Sequence, residues 1–152
     1  MSTVPAVKAA LIALWTTALA PLKPGYGSRV TVAPGERLVV GTARGSSEPI
    51  TLGPNRQMEE RYDVTCTISV TQNGTTDLQQ QVTERVFALY AAAEIAIRSV
   101  TGENLAVPGV VLAYVAGDFE LTEAAASDTR GPVNAAIEFR VRVQARYRLT
   151  LP

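Results

Sequence analysis

The chain has 152 residues, 47% of them hydrophobic and 18% charged, which is the balance of one globular domain with a real core and not of a disordered segment. Fourteen basic residues offset fourteen acidic ones, and a formal net charge of zero argues against a duplex-binding domain. One cysteine, Cys66, and no histidine exclude an intrachain disulfide, a Cys/His zinc site and any nucleophile–histidine catalytic pair.

The charge is unevenly spread. Three basic residues and no acid precede Glu36, and five arginines accompany Glu138 alone from Arg130 onward. The acids therefore sit mid-chain. Twelve of the fourteen basic residues are arginine, a bias that suits interface pairing.

In chain order, Val4, Val7, Leu11, Leu14, Trp15 and Ala18 recur at helical spacing, predicting an amphipathic helix over about 3–20 that Pro21 and Pro24 stop. The apolar run ending Ala18-Leu19-Ala20 resembles a leader peptide, but Pro21 after the cut and the late Lys8 favour a domain helix. The run is also too short to cross a membrane. Ser28–Ala33 reads as a short strand, Pro34-Gly35 as a turn, Arg37–Ala43 as a buried strand, and Arg44–Asn55, rich in Gly, Ser and Pro, as a loop. A strict period-two strand follows. Met58, Glu60, Tyr62, Val64, Cys66, Ile68 and Val70 share one face, and all but Glu60 suit a core; Glu59, Arg61, Asp63 and the threonines share the other. Asn73-Gly74 ends it, and the sequon Asn73-Gly74-Thr75 reads as a turn.

Thr76 and Gln79 have capping-box spacing, opening a helix over about 76–100. Its apolar stripe is Leu78, Val82, Val86, Leu89, Ala93, Ile97 and Val100. Glu94 and Arg98 form an i,i+4 pair, and Gly102 is a stop. Val110–Leu121 and Val133–Leu149 read as the strands of a hairpin with a long tip at Thr122–Pro132. The whole predicts one α+β domain over 1–152, with an antiparallel or mixed sheet and helices on one face.

The closing strand is the most informative element. Ile137, Phe139, Val141, Val143, Ala145, Tyr147 and Leu149 share one face; Glu138, Arg140, Arg142, Gln144, Arg146 and Arg148 share the other. Its arginine face has two readings. Arg140, Arg142 and Arg146 lie across from Glu59 and Asp63 of the same chain, or they meet carboxylates of a neighbouring subunit. Arg44, Arg56, Asp128 and Arg130, in the two loops, are further candidates for such contacts.

No catalytic constellation emerges. Gly41–Ser47 lacks the Lys-Ser/Thr of a phosphate loop, and Gly25-Tyr26-Gly27 is no dinucleotide fingerprint. Glu59 and Glu60 point to opposite faces, while Glu120 and Glu123 flank the hairpin tip as solvated residues. Cys66 reads as a buried inert thiol, and Trp15 and Tyr90 as packing or interface residues.

Three stretches together resemble a known family. They are Val4-Pro-Ala-Val-Lys-Ala-Ala-Leu-Ile-Ala-Leu14; Glu60–Val70, followed by Asp77 and Arg85–Arg98; and Gly131–Leu149 with its Phe139-Arg-Val-Arg-Val-Gln-Ala-Arg146 core. In this order they are similar to the tail terminator proteins of long, non-contractile-tailed bacteriophages, particularly those infecting actinobacteria. The resemblance implies a structural protein of the virion, made in the host cytoplasm, forming a hexameric ring that caps the tail tube. Its expected partners are itself, the tail tube protein and the head connector, with DNA passing through the lumen unread. No catalytic residue, metal, cofactor or membrane is implied. The alternatives are a head-closure or tail-tube component, a small-molecule binding module with its pocket between helix and sheet, and a carboxylate-dependent hydrolase.

Overall fold

The computed structural model describes residues 1–27, 35–75, 77–125 and 131–150. The elements are α1 (Val4–Ala18), β1 (Gly25–Tyr26), β2 (Gly35–Pro49), β3 (Asn55–Gly74), α2 (Leu78–Ser99), a 3-10 turn (Thr101–Glu103), β4 (Val110–Ala125) and β5 (Gly131–Thr150). The strands form one mixed sheet in the order β1-β2-β3-β5-β4. Among the described residues only the β1–β2 pairing is parallel. The α+β class with both helices on one face is what the sequence predicts.

Periodicity explains why the helices sit there. Val7, Leu11 and Trp15 of α1, and Val82, Val86, Leu89, Ala93 and Ile97 of α2, are buried against the sheet. On the sheet's inner face they meet Tyr62, Val64, Cys66, Ile68 and Val70 of β3 and Ile137, Phe139, Val141, Val143 and Ala145 of β5. Each fully buried aliphatic or aromatic side chain contributes about 1.5–3 kcal/mol. An aromatic chain stitches the layers together. Trp15 stands edge-on to Phe139 at 6.0 Å, Tyr90 lies 5.2 Å from Phe139, and Phe119 of β4 packs between Phe87 and Tyr90 at 5.6 and 5.7 Å. Trp15 also donates its indole N–H to the Ala93 carbonyl at 3.1 Å, tying α1 to α2.

Two inner-face positions escape the apolar pattern. Lys8 is buried, with its ammonium 4.0 Å from the centre of the Tyr26 ring, a cation–π contact that replaces water. Glu60 is also buried and anchors the start of α1. It accepts hydrogen bonds from the Ser2 hydroxyl (2.5 Å), the Thr3 amide (2.9 Å) and the Thr3 hydroxyl (2.8 Å). The Thr3 hydroxyl also bonds the Tyr62 hydroxyl at 3.0 Å, and burial pushes that phenol up to about 12. Burial likewise raises the Cys66 thiol to about 12, so it is a poor nucleophile at neutral pH, as the sequence predicts.

Several boundaries differ from expectation. Arg44–Asn55 is not a loop: β2 continues to Pro49, β3 begins at Asn55, and only five residues turn between them. The Gly- and Ser-rich composition misleads because Gly45 has a packing role. A Cβ there would overlap the Arg61 carbonyl and the Tyr62 side chain, so the close strand pairing requires glycine. The predicted tip Thr122–Pro132 is also shorter, since β4 runs to Ala125 and β5 starts at Gly131; residues 126–130 lie outside the described residues. Ser28–Ala33, Pro34 and Thr76 lie outside them too. The capping-box reading rests on Thr76 and so lies outside the described residues; Gln79 donates to the Thr83 hydroxyl and the Asn134 carbonyl. The stop after α2 is Val100, which turns extended, and Gly102 supplies positive φ (82°) in the turn that follows.

Gly109, before β4, is a second required glycine. Its φ is 90°, its carbonyl accepts the Arg146 amide at 2.7 Å, and a Cβ would lie 2.7 Å from the Arg146 carbonyl. Gly109→Ala is expected to lower stability by about 1–3 kcal/mol through left-handed strain and the backbone clash. Urea denaturation checks this, and an unchanged midpoint would show that the turn relaxes freely.

Candidate inter-subunit surface

Among the described residues the helices cover one face of the sheet and nothing packs over the other. Its outer face carries Arg44, Ser46 and Glu48 of β2, Glu59, Arg61, Asp63 and Thr65 of β3, and Glu138, Arg140, Arg142, Gln144, Arg146 and Arg148 of β5. The register places Glu59 beside Arg146, Asp63 beside Arg142 and Thr65 beside Arg140. Strand alternation thus brings together most of the residues singled out from the sequence.

Their charges are largely matched within the chain. Arg142 grips Asp63 with two prongs, Nε to Oδ1 at 3.0 Å and Nη2 to Oδ2 at 3.4 Å. Arg140 reaches Asp63 at 3.4 Å and also pairs with Asp118 of β4. Glu59 collects Arg61 (2.8 Å), Gln144 (2.9 Å) and Arg146 (3.4 Å). Asp118, Arg61 and Gln144 were not among the residues marked from the sequence. Gln144 and Arg61 share the alternation that marked their neighbours. Asp118 sits at an irregularity in β4 between Val115 and Phe119, which periodicity does not foresee. Each half-exposed pair contributes only about 0.2–1 kcal/mol, so the network orders the face more than it stabilises the fold.

The electrostatics follow this geometry. The Asp63 carboxylate, and after it the Tyr114 hydroxyl, raise Arg142 above its ordinary value. The Gln144 amide is the main influence lowering Glu59; burial opposes it, and Arg61 and Arg146 add to the lowering. A depressed carboxyl stabilises the fold above its unfolded pKa and loses that contribution as pH falls through the folded value. The stability difference between the native chain and Glu59→Gln is therefore expected to be constant above about pH 5 and to shrink below about pH 4.3. Denaturant midpoints across this range test it, and a difference that grows on acidification would contradict it.

The remaining predicted site residues are placed differently. Arg44 and Arg148 have no carboxylate within ion-pair reach among the described residues. Arg56 donates to the Gly53 carbonyl at 3.2 Å inside the β2–β3 turn. Asp128 and Arg130 lie outside the described residues. Glu120 and Glu123 lie near the end of β4 and are exposed, as expected. Glu120 lies directly across from Glu138 on the exposed face, and Glu123 accepts a hydrogen bond from Thr83 at 2.5 Å.

Beyond the helices, β2 and β3 continue as an arm in which every residue from Arg44 to Gln57 is exposed. Strand β5 pairs with β3 along the arm's whole length, from Met58 opposite Tyr147 to Asn55 opposite Thr150, and the Tyr147 and Ser47 hydroxyls are 3.0 Å apart. The turn is closed by the Ile50 amide on the Gln57 carbonyl (2.7 Å) and the Gln57 amide on the Thr51 hydroxyl (2.8 Å). At its end Ile50 is 48% and Leu52 90% exposed, an apolar tip on a polar shaft.

A depression of about 340 Å3, open to solvent, lies along β4 and β5 beside Asp118, Glu120, Glu138 and Arg140. Another, of about 230 Å3 beneath the arm, is lined by Glu60 and Tyr62, whose polar atoms already hold Thr3. No group of three His, Cys, Asp or Glu side chains is placed to hold a metal among the described residues, and no helix there is long and apolar enough to cross a membrane. No protein-family model and no curated protein sequence matches the chain.

Proposed function

We propose that the chain is a structural protein of a long-tailed phage virion, a tail terminator. In this reading its copies form a ring, expected to be hexameric, that caps the tail tube, ends its growth and presents its other side to the head connector. DNA passes through the lumen without sequence readout, and the protein acts without catalysis or a cofactor. Head-closure and tail-tube components remain the alternatives within the same particle.

The observation that carries the reading is the arm. It is a hydrogen-bonded projection that bares Ile50 and Leu52 together at its end. It suits a protein that seats an apolar tip in a groove of a larger assembly. The one-layer sheet adds support, since its outer face is polar and nearly charge-balanced, as suits a wall beside water and passing DNA. The small-molecule reading fares worse, because the depression beneath the arm is shallow and its carboxyl group already bonded.

The arm gives the test. Ile50→Asp with Leu52→Asp changes only exposed side chains, so folding and self-association are expected to persist. Phage carrying the pair are expected to yield tails that fail to join heads and vary in length under electron microscopy. Normal joined tails of uniform length would overturn the assignment of the arm to the tube.

A further inference from the structure

The sheet leaves an edge open on each side. On one side is β4, unpaired along its outer edge among the described residues. On the other is β2, which among the described residues β1 covers only at Val39 and Val40. Natural sheets guard such edges with charge, proline or bulges, because bare backbone groups template pairing with another chain.

The hydrogen-bonded rungs can be followed across the sheet. Tyr114 pairs with Arg142, Arg142 with Asp63 and Asp63 with Arg44. Leu112 leads in the same way through Gln144 and Arg61 to Ser46, and Val110 through Ala145 and Glu60 to Ser47. The stretch Val110-Val-Leu-Ala-Tyr-Val115 therefore stands level with the uncovered part of β2. It is uncharged and free of proline, with Val111 47% and Tyr114 38% exposed. Besides one register shift between Val110 and Leu112, β4 carries a second irregularity lower down, with Asp118 and Glu120, and Glu120 stands level with Val39, where β1 already occupies the other edge. The uncharged half of β4 and the length of β2 that β1 leaves open among the described residues share the same rungs.

Direction agrees as well. Each neighbouring pair from β2 to β4 is antiparallel, so β4 runs opposite to β2. Copies related by rotation about an axis along the strands would bring β4 of one against β2 of the next as an antiparallel pair. The two edges differ, so the contact is head-to-tail, the kind that closes into a ring.

We propose that Val110–Val115 of one copy pairs antiparallel with the 42–48 edge of a second copy. Arg44, which has no carboxylate within ion-pair reach among the described residues, then faces the neighbour's Tyr114, where a guanidinium can stack on the phenol. This rests on the ring reading and specifies its contact.

Crosslinking tests it. Arg44→Cys and Tyr114→Cys lie on the exposed face, and Cys66 is fully buried and does not compete. With a short bis-maleimide, the double variant is expected to give a ladder of covalent multimers ending at the ring size, and each single variant none. A Leu112→Lys chain, which keeps its circular dichroism, is expected to sediment as monomer. Three results would overturn the pairing: multimers without a ladder in the double variant, dimers from Tyr114→Cys alone, or a native chain that stays monomeric at the highest concentration it tolerates. A ladder from a protein that does not cap tail tubes would instead overturn the terminator reading and leave the edge contact standing.

Discussion

Replacing Trp15 by alanine is expected to remove about 3–5 kcal/mol of stability, the range for deleting a large buried aromatic. Trp15 is fully buried and bridges three elements, lying edge-on to Phe139 of β5 and donating to the Ala93 carbonyl of α2 from its own helix. Truncation leaves a cavity between two helices and a sheet, where no single neighbour can collapse into it. A domain of this size has only about 5–15 kcal/mol to lose, so a large share of its stability rests on this one side chain. Urea denaturation followed by circular dichroism measures it. Trp15→Phe is expected to recover much of the loss but not the part owed to the indole N–H. A loss below about 1 kcal/mol for Trp15→Ala would mean that α1 is not docked as described.

Replacing Glu60 by alanine is expected to cost about 2–4 kcal/mol, because it strands the buried Thr3 amide and weakens the hold on the Thr3 and Ser2 hydroxyls. The Tyr62 hydroxyl can still serve the Thr3 hydroxyl, which bounds the loss. The effect is directional. Amide exchange is expected to accelerate first at the start of α1, before the sheet responds. Glu60→Gln keeps one acceptor but turns an N–H toward donors, and it is expected to fall between the native chain and alanine. Uniform exchange throughout α1 and the sheet would contradict this anchoring role.

The sequence made the strand faces and the helix stripes plain, because periods of two and 3.6 are written in Tyr62–Val70, Ile137–Ala145 and Val82–Ile97. It also offered, as one of two readings, that Arg140, Arg142 and Arg146 lie across from Glu59 and Asp63 of the same chain, and the geometry shows Arg140 and Arg142 on Asp63 and Arg146 on Glu59. Other features were hidden for physical reasons. Gly45 and its neighbours read as a loop because composition cannot tell a flexible glycine from one demanded by a close strand. Glu60 looked like a misfit in a core face because its partners, Ser2 and Thr3, lie far away in sequence. Asp118 and the Glu120–Glu138 pairing depend on a register shift in β4 that alternation does not encode. The apolar tip at Ile50 and Leu52 is visible as letters, but its meaning appears only once the strands on either side are seen to project.

Copies of this chain are proposed to close into a ring that caps a tail tube. Electron microscopy of the purified protein mixed with tubes polymerised from the tube protein of the same genome tests it most directly. The expected image is a single ring seated on one end of each tube, with tube growth halted once the protein is added. Bare tube ends and continued growth at saturating protein would contradict the claim.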